Sequence, residues 1–429
     1  MANQAGARGQ LMAFFAYNLT SAKLVTKLSR YVLLFIAAAA LSVCFTEAQA
    51  RKSPVFESRV AAAPNPDELL AEVYQHLAAN ELQAAQTKVD QLIAAYPLFQ
   101  LAHLIRGDLL LMHSRPVSSF GGGAGASADK LKDMRDEATA RIKAYRERPA
   151  ADLVPSPVLQ LRDDQKQVLV IDAVKARLYL YENSGGQLKL LSDHYISHGK
   201  FGLNKIKEGD QRTPVGVYYI TSRLSGSKLP DFYGPGALPL NYPNEWDKVN
   251  GRSGSGIWLH GMPSTSFSRP PFASDGCVVL TNFDFMKISG LIDIGKTPVI
   301  ISEHLEFITR AQWSADKQLA SNLLEEWRRD MESRNANRIF ANYSRNFKTM
   351  QAEDLNTWFA RQRQIWELGS TPLIQLKDVT QFRYPGKDEI IVSTFTQETQ
   401  AGKSHSSIRK RQYWLKEAGK WRIIYEAAL

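Results

Sequence analysis

The chain has 429 residues, 44% of them hydrophobic and 22% charged, with a net charge of +10. That length exceeds one simple core, so two or three domains are expected, and the composition excludes a disordered or low-complexity protein. The basic excess suits contact with an anionic polymer, but no dense Lys/Arg tract points to DNA or RNA.

Lys23, Lys27 and Arg30 precede the 15-residue apolar run "YVLLFIAAAALSVCF", and Ala48 and Ala50 then form a small-x-small pair before Arg51. Basic flank, short apolar core and cleavage pattern together read as a secretory signal peptide over residues 1–50, with Met12 as an alternative start. An uncleaved anchor is the competing reading, although the run is short for a bilayer. Lipidation of Cys44 is disfavoured by bulky Val43 before it. The expected location is the periplasm. Only two Cys are present, and Cys44 lies within the signal, so Cys277 would be alone in the mature protein. A lone thiol in an exported protein points to intermolecular pairing or to a reactive nucleophile; an inert buried thiol is the alternative.

Residues 51–66 read as an Ala/Pro-rich linker. From Asp67 the apolar positions Leu69, Leu70, Val73, Tyr74 and Leu77 recur at helical spacing, and Leu82, Ala85, Val89, Leu92 and Ile93 repeat the pattern. A third helix follows Pro97, and Leu131–Arg148 predicts a highly charged fourth, after the flexible stretch "SSFGGGAGASADK". Residues 67–150 thus predict an α-helical, tetratricopeptide-like cap. One visible period is too few for a free-standing array, so packing on the next domain is expected. Short β-rich runs from "QVLVIDAVKARLYLYE" to "TPVIIS", separated by turn signals, predict a mostly antiparallel β domain over residues 160–303. Residues 316–429 read as two helices followed by a strand meander, an α+β pattern.

Within the β domain, His260 ends the apolar run Ile257–Leu259, and Cys277, seventeen residues on, opens the run Val278–Leu280. If the two strands are neighbours, the thiol and imidazole meet at one sheet edge, and a Cys–His pair can attack a carbonyl. The imidazole needs a third group to fix its tautomer, which a backbone carbonyl can supply. Backbone N–H groups near Gly276 and Cys277 are candidates for an oxyanion hole. On spacing alone, a bystander core His and core Cys explain the same residues equally well.

The segment from His260 through Ser274, Asp275, Gly276 and Cys277 resembles the L,D-transpeptidase catalytic domain of YkuD type. An upstream "GDQRTPVGVY" carries the matching Gly209, Asp210, Thr213, Pro214, Gly216 and Tyr218. The resemblance implies an exported cell-wall enzyme acting on peptidoglycan stem peptides. The thiolate would attack the L-centre carbonyl of the third residue and release D-Ala. It implies Cys277 as nucleophile, His260 as base, the Gly261 carbonyl as its orienting partner, and Gly276 with Cys277 as oxyanion donors. Ser274 would hold the turn or the substrate. Arg269 in the connecting loop is a candidate for binding a substrate carboxylate in bidentate fashion, with a solvated loop charge as the alternative. Tyr233 and Trp246 are candidates for the groove wall, although aromatics in such runs more often pack a core. Many transpeptidases of the family read Ser-His-Gly-Cys with an Arg two residues later; here Asp275 and Val279 stand at those positions. That departure is similar to a divergent branch that includes L,D-carboxypeptidases. It leaves open whether water, a diaminopimelate amine or a protein Lys accepts the acyl group.

The C-terminal segment resembles the NTF2-like fold, an arrangement associated with a carboxypeptidase branch of helical bacteria. The resemblance implies a binding module and a homodimer through this domain. Trp327, Phe340, Tyr343, Trp358, Trp366 and Trp414 either line an apolar pocket there or pack its core. The helical cap is a candidate site for a protein partner. No metal or other cofactor is expected, since the eight His lack zinc spacing and the Gly-rich linker lacks a phosphate-loop Lys. The alternative from another class is a wall-binding scaffold without turnover.

Overall fold

The computed structural model describes residues 64–117, 119–122, 125–368 and 371–429. The expected signal peptide and most of the expected linker, Cys44 and Met12 among them, lie outside these residues, as does the side chain of Trp366.

The cap is built from α1 (Pro66–Ala78), α2 (Leu82–Ala95), α3 (Gln100–Met112) and α4 (Ala128–Arg146). α1 starts where it does because Pro66 fills the first turn and the Asn65 side chain accepts from the Asp67 and Glu68 N–H groups at 2.9 and 3.2 Å. Its stripe Leu69, Leu70 and Val73 is buried against the following helices. α4 folds back so that Arg141 pairs with Asp67 of α1 at 2.6 Å and with Glu137 at 2.8 Å. The four helices therefore close on one another and on the next domain.

The middle of the chain carries β1 (Val154–Pro155), β2 (Val158–Gln160), β3 (Gln167–Asp172), β4 (Arg177–Ser184), β5 (Gln187–Tyr195), β6 (His198–Gly199), β7 (Gly216–Tyr219), β8 (Leu224–Ser225) and β9 (Gly236–Pro239). After the short helix α5 (Glu245–Val249) come β10 (Trp258–His260), β11 (Phe272–Ser274), β12 (Val278–Val279), helix α6 (Asn282–Ser289) and β13 (Pro298–Ser302). Three sheets result, ordered β5-β4-β3-β13-β7, β12-β10-β9-β8 and β11-β6. Alternate residues of the first sheet, such as Leu169, Ile171, Leu178 and Leu180, pack on Leu238, Leu259 and Val278 of the second. Their neighbours Val168, Val170, Tyr179 and Tyr181 face the C-terminal domain. Burial on both faces explains why "QVLVI" reads as a continuous apolar run instead of an alternating one.

The C-terminal part follows β14 (Phe307–Ile308) with α7 (Arg310–Ser333), α8 (Ala336–Ala341), β15 (Tyr343–Thr349), α9 (Leu355–Leu368), β16 (Leu373–Tyr384), β17 (Ile390–Ala401), β18 (Ser404–Glu417) and β19 (Lys420–Ala428). Its six-stranded sheet runs β15-β19-β18-β17-β16-β2, so the last strand comes from residues ahead of the middle domain. One face carries Trp327, Tyr343, Trp358, Trp414 and Phe395 in a closed core. These aromatics are buried in the domain interior, whereas Phe340 is partly exposed and meets Phe359 at 5.0 Å. The other face, with Phe382, Tyr384, Tyr413 and Tyr425, is buried on the catalytic sheet. A homodimer through this domain would have to use a different surface.

Trp246 belongs to that interface as well. It stacks on Tyr413 at 4.8 Å, so the groove-wall role expected of it is corrected. Its neighbour Glu245 accepts from Arg411 at 2.5 Å and from the Tyr413 hydroxyl at 3.2 Å. Between these two domains lies a cleft of about 850 Å³ lined in part by Lys248, Val249, Met350 and Leu429.

A buried ion network joins cap to catalytic domain. Asp67 pairs with Arg177 of β4 as well as with Arg141, and Arg177 also pairs with Asp193. Burial alone would raise the Asp67 carboxyl, but Arg177 and Arg141 outweigh it and hold it at about 2. Removing one member would strand a buried charge, at a cost of about 3–5 kcal/mol.

Candidate active site

β10 pairs in parallel with β12, Leu259 beside Val278 and His260 beside Val279. Leu259 and Val278 are buried in the first core. Strand alternation therefore sends Trp258, His260 and Val279 to the opposite face, together with Cys277 immediately ahead of β12. Cys277 stands diagonal to His260 on that face, one residue ahead of the Val278 that pairs with Leu259.

His260 is buried, and its Nδ1 bonds the Gly261 carbonyl at 2.5 Å. A carbonyl only accepts, so Nδ1 carries the proton and Nε2 keeps the lone pair of a base. Burial pulls the imidazole down to about 4, against the Gly261 bond and with help from the nearby Arg269 cation. Burial also pushes the Cys277 thiol up; the Trp258 N–H opposes this, and the charge of Asp275 adds to it. The thiol donates to the Gly256 carbonyl at 3.3 Å. The resting pair is thus a neutral thiol and a neutral imidazole, and attack on a carbonyl must move the thiol proton to Nε2.

The turn before Cys277 is held from three sides. The Ser274 hydroxyl donates to the Cys277 carbonyl at 2.6 Å and accepts from the Gly276 N–H at 3.1 Å. This places Ser274 in the turn. It also corrects one expectation, because the Gly276 N–H is engaged there and the Cys277 N–H is left as the oxyanion candidate. Gly276 has φ +124°, and a Cβ there would meet the Arg212 carbonyl at 2.7 Å. Thr213 donates to the Gly276 carbonyl and accepts from the Gly199 N–H, both at 2.9 Å. Asp210 closes the preceding loop by accepting from Lys205 Nζ at 2.8 Å and from the Ile206 and Lys207 N–H groups at 2.7 and 3.0 Å. The "GDQRTP" segment is therefore scaffolding for the cysteine turn.

Tyr233 stands edge-on to His260 at 5.1 Å and packs on Trp258 at 5.0 Å. Phe232, exposed, lies 5.8 Å from the same imidazole. Arg269 rests its guanidinium 5.5 Å from the Phe232 ring centre. It is near enough to Cys277, Asp275 and His260 to act on their charges. Asp275 accepts from Gln211 Nε2 at 2.7 Å and pairs with Lys200 at 3.4 Å, so its charge is partly matched at the rim.

Sequence reasoning missed Phe232, Trp258 and Asn282. The Asn282 Oδ1 accepts from the Met262 N–H at 2.8 Å and sits where a Cβ on Gly261 would come within 2.4 Å. Gly261 is thus required by a side chain on α6 that packs beneath the His-Gly pair. No spacing rule reveals that contact.

Residues 166–301 match YkuD, the L,D-transpeptidase catalytic domain, and residues 319–427 match the Cds6 C-terminal NTF2-like domain. A curated Escherichia coli (strain K12) protein named "Putative L,D-transpeptidase YafK" is 26% identical over 225 residues, which cover 51% of this chain and 77% of that protein. The solved structure of Bdellovibrio bacteriovorus Bd1075 aligns with a TM-score of 0.57 at 27% identity, covering 65% of this chain and 98% of that one. The helical cell shape determining protein Pgp2 of Campylobacter jejuni shares the fold, with a TM-score of 0.54 at 23% identity over 63% of this chain and 94% of that one. The chain carries an L,D-transpeptidase catalytic domain over residues 166–301, followed by a Cds6-type NTF2-like domain over residues 319–427.

Proposed function

We propose that this chain is an exported cysteine enzyme that acts on peptidoglycan stem peptides. The observation that carries this reading is the Nδ1 bond from His260 to the Gly261 carbonyl, which leaves a basic Nε2 on the face of the sheet that bears Cys277. In the proposed reaction the Cys277 sulfur attacks the L-centre carbonyl of the third stem residue while its proton passes to His260 Nε2. The Cys277 N–H stabilises the oxyanion, and Arg269 holds the substrate carboxylate. Collapse of the tetrahedral intermediate breaks the amide, and His260 returns the proton to the departing D-Ala amine. The thioester then passes its acyl group to water, regenerating the thiol and leaving a tripeptide.

Trimming by water is favoured over crosslinking because of Asp275 and Val279, which depart from the common transpeptidase motif. Export would place the enzyme in the periplasm, with cleavage after Ala50 as the check by N-terminal sequencing. The peptidoglycan strand is its proposed partner, and the cap is a candidate surface for a protein partner.

Incubation with purified muropeptides and mass spectrometry of the products tests the reaction. D-Ala release that Cys277→Ala abolishes supports it, and crosslinked dimers would shift the reading to transpeptidation. A protein that turns over no muropeptide, with any acceptor, would be a wall-binding scaffold.

A further inference from the structure

The loop between His260 and Cys277 does not float over the site. Three consecutive residues of it are gripped by the helical cap or by a residue on which the cap leans. Phe267 packs its ring on Tyr96 at 4.8 Å and on Phe99 at 4.6 Å, with the Arg141 guanidinium 5.9 Å from its ring centre. The Ser268 hydroxyl donates to Glu137 of α4. The Arg269 carbonyl accepts from the Tyr195 hydroxyl at 3.0 Å, and the Tyr195 ring is covered at 3.9 Å by the same Arg141. Arg141 is itself buried and fixed by Asp67 and Glu137, so it is a rigid support.

Beyond this grip the Arg269 guanidinium lies over Phe232, whose ring is 5.8 Å from His260, near enough for its charge to act on His260 and Cys277. A long cationic side chain on an untethered loop would sample many rotamers, and ordering it would be charged against substrate binding. Anchoring the two preceding residues and its own carbonyl fixes the backbone from which that side chain extends, which removes the backbone share of the cost.

We infer that the helical cap is a positioning device for the active site: Phe267 and Ser268, docked on Tyr96, Phe99 and Glu137, set the Arg269 guanidinium at the mouth above Cys277. Phe267 is then a positioning residue whose effect on a carboxylate ligand passes through Arg269. The inference deepens the reading of Cys277 and Arg269 proposed above and rests on it for its meaning in catalysis. Its test needs no turnover.

The probe is alkylation of Cys277 in the mature protein by iodoacetate, which carries a carboxylate, and by neutral iodoacetamide, read from the mass of the Cys277 peptide. The ratio of the two rates reports a cation placed beside the thiol. Arg269→Gln should lower the ratio by roughly three- to tenfold, the scale of one unit charge acting through a largely aqueous medium. Phe267→Ala should lower it by a similar factor, Phe267→Leu should restore part of it, and Phe267→Ala should add nothing to Arg269→Gln. Ser268→Ala removes a single oxygen and should give a smaller fall, which keeps the test open if Phe267→Ala melts near room temperature. A ratio that Arg269→Gln lowers but the folded cap-contact variants leave at the wild-type value overturns the inference, as does a ratio that Arg269→Gln leaves unchanged. If the enzyme reading alone is wrong, no muropeptide is cleaved and the alkylation ratios still respond. If it is right, Phe267→Ala should raise KM more than it lowers kcat, for stem peptides with a carboxylate on the third residue and not for those with Lys there.

Discussion

The Thr213 hydroxyl donates to the Gly276 carbonyl at 2.9 Å, and the same oxygen accepts from the Gly199 N–H. One side chain on the upstream loop thereby ties the residue before Cys277 to β6. The chain approaches so closely there that a Cβ on Gly199 would meet the Gln211 carbonyl at 2.5 Å. The two motifs read separately along the sequence are one hydrogen-bonded object in space.

Thr213→Val should therefore cost both stability and rate. Two buried backbone groups lose their partner, which corresponds to about 1–3 kcal/mol for each group left unsatisfied. The loosened turn should lower kcat by roughly tenfold or more, since small misplacements of a nucleophile are expensive in rate. Thr213→Ser should behave nearly as wild type. Urea denaturation and D-Ala release measure the two effects, and a Val variant equal to wild type in both would refute the role.

The pH dependence should be that of a neutral pair. His260 is held down to about 4 by burial, and the thiol is pushed up from its ordinary value. Activity that needs unprotonated Nε2 should fall off only near pH 4, where an unperturbed imidazole would lose it near about 6.5. In the free enzyme, alkylation of Cys277 should keep rising with pH through 9. Reactivity already at a plateau at pH 6 would instead indicate a thiolate–imidazolium pair and contradict this geometry.

Acid should weaken the fold through His198 and His260 together. His198 is buried with Nε2 on the Ala173 carbonyl at 3.0 Å, and burial lowers it to about 4. Its folded pKa lies below the unfolded value, so between roughly pH 6.5 and 4 the unfolded chain binds more protons and stability falls as pH falls. Each imidazole can contribute on the order of 3 kcal/mol to that loss once the pH is below both values. His198→Leu should lose less stability than wild type between pH 7 and 4.5, measured by denaturant titration. Equal losses would remove His198 from the account.

Leu159 is a test of how the domains are joined. It lies on β2, ahead of the catalytic domain in sequence, yet it is fully buried in the helix-side core of the C-terminal sheet. The neighbouring Val158 carbonyl accepts from Trp313 Nε1 at 2.5 Å. Leu159→Ala should cost about 2–5 kcal/mol. Because β2 is a strand of the C-terminal sheet whose Val158 packs in the core shared with the catalytic domain, calorimetry should show the catalytic and C-terminal domains melting together in wild type and at a lower temperature together in the variant. Two separated transitions in wild type would argue against this coupling.

Much of the site was legible because its chemistry is local in sequence. The lone Cys277 after a Gly, the His260–Gly261 pair at the end of an apolar run and the "GDQRTP" segment are short stretches whose residue types carry the signal. The helices of the cap and the strands of the sheets were readable for the same reason, since periodicity of apolar residues reflects which face is buried. Trp246 and the C-terminal tryptophans were less readable. An aromatic in an apolar run has the same signature whether it lines a groove or fills a core, and only Tyr413 stacked on Trp246 decides between them.

By itself the sequence indicated the candidate nucleophile and base and the type of most elements, because these depend on neighbours within a few residues; it missed β15, a strand that lies ahead of α9 where the expected pattern had only helix. The tertiary structure alone decided which backbone groups serve the site. It engaged the Gly276 N–H with Ser274, put Asn282 beneath Gly261, lent β2 to a distant sheet and set the cap against Phe267. Each of those contacts joins residues brought together by packing, and no pattern along one segment records which other segment will complete its hydrogen bonds or fill its remaining space.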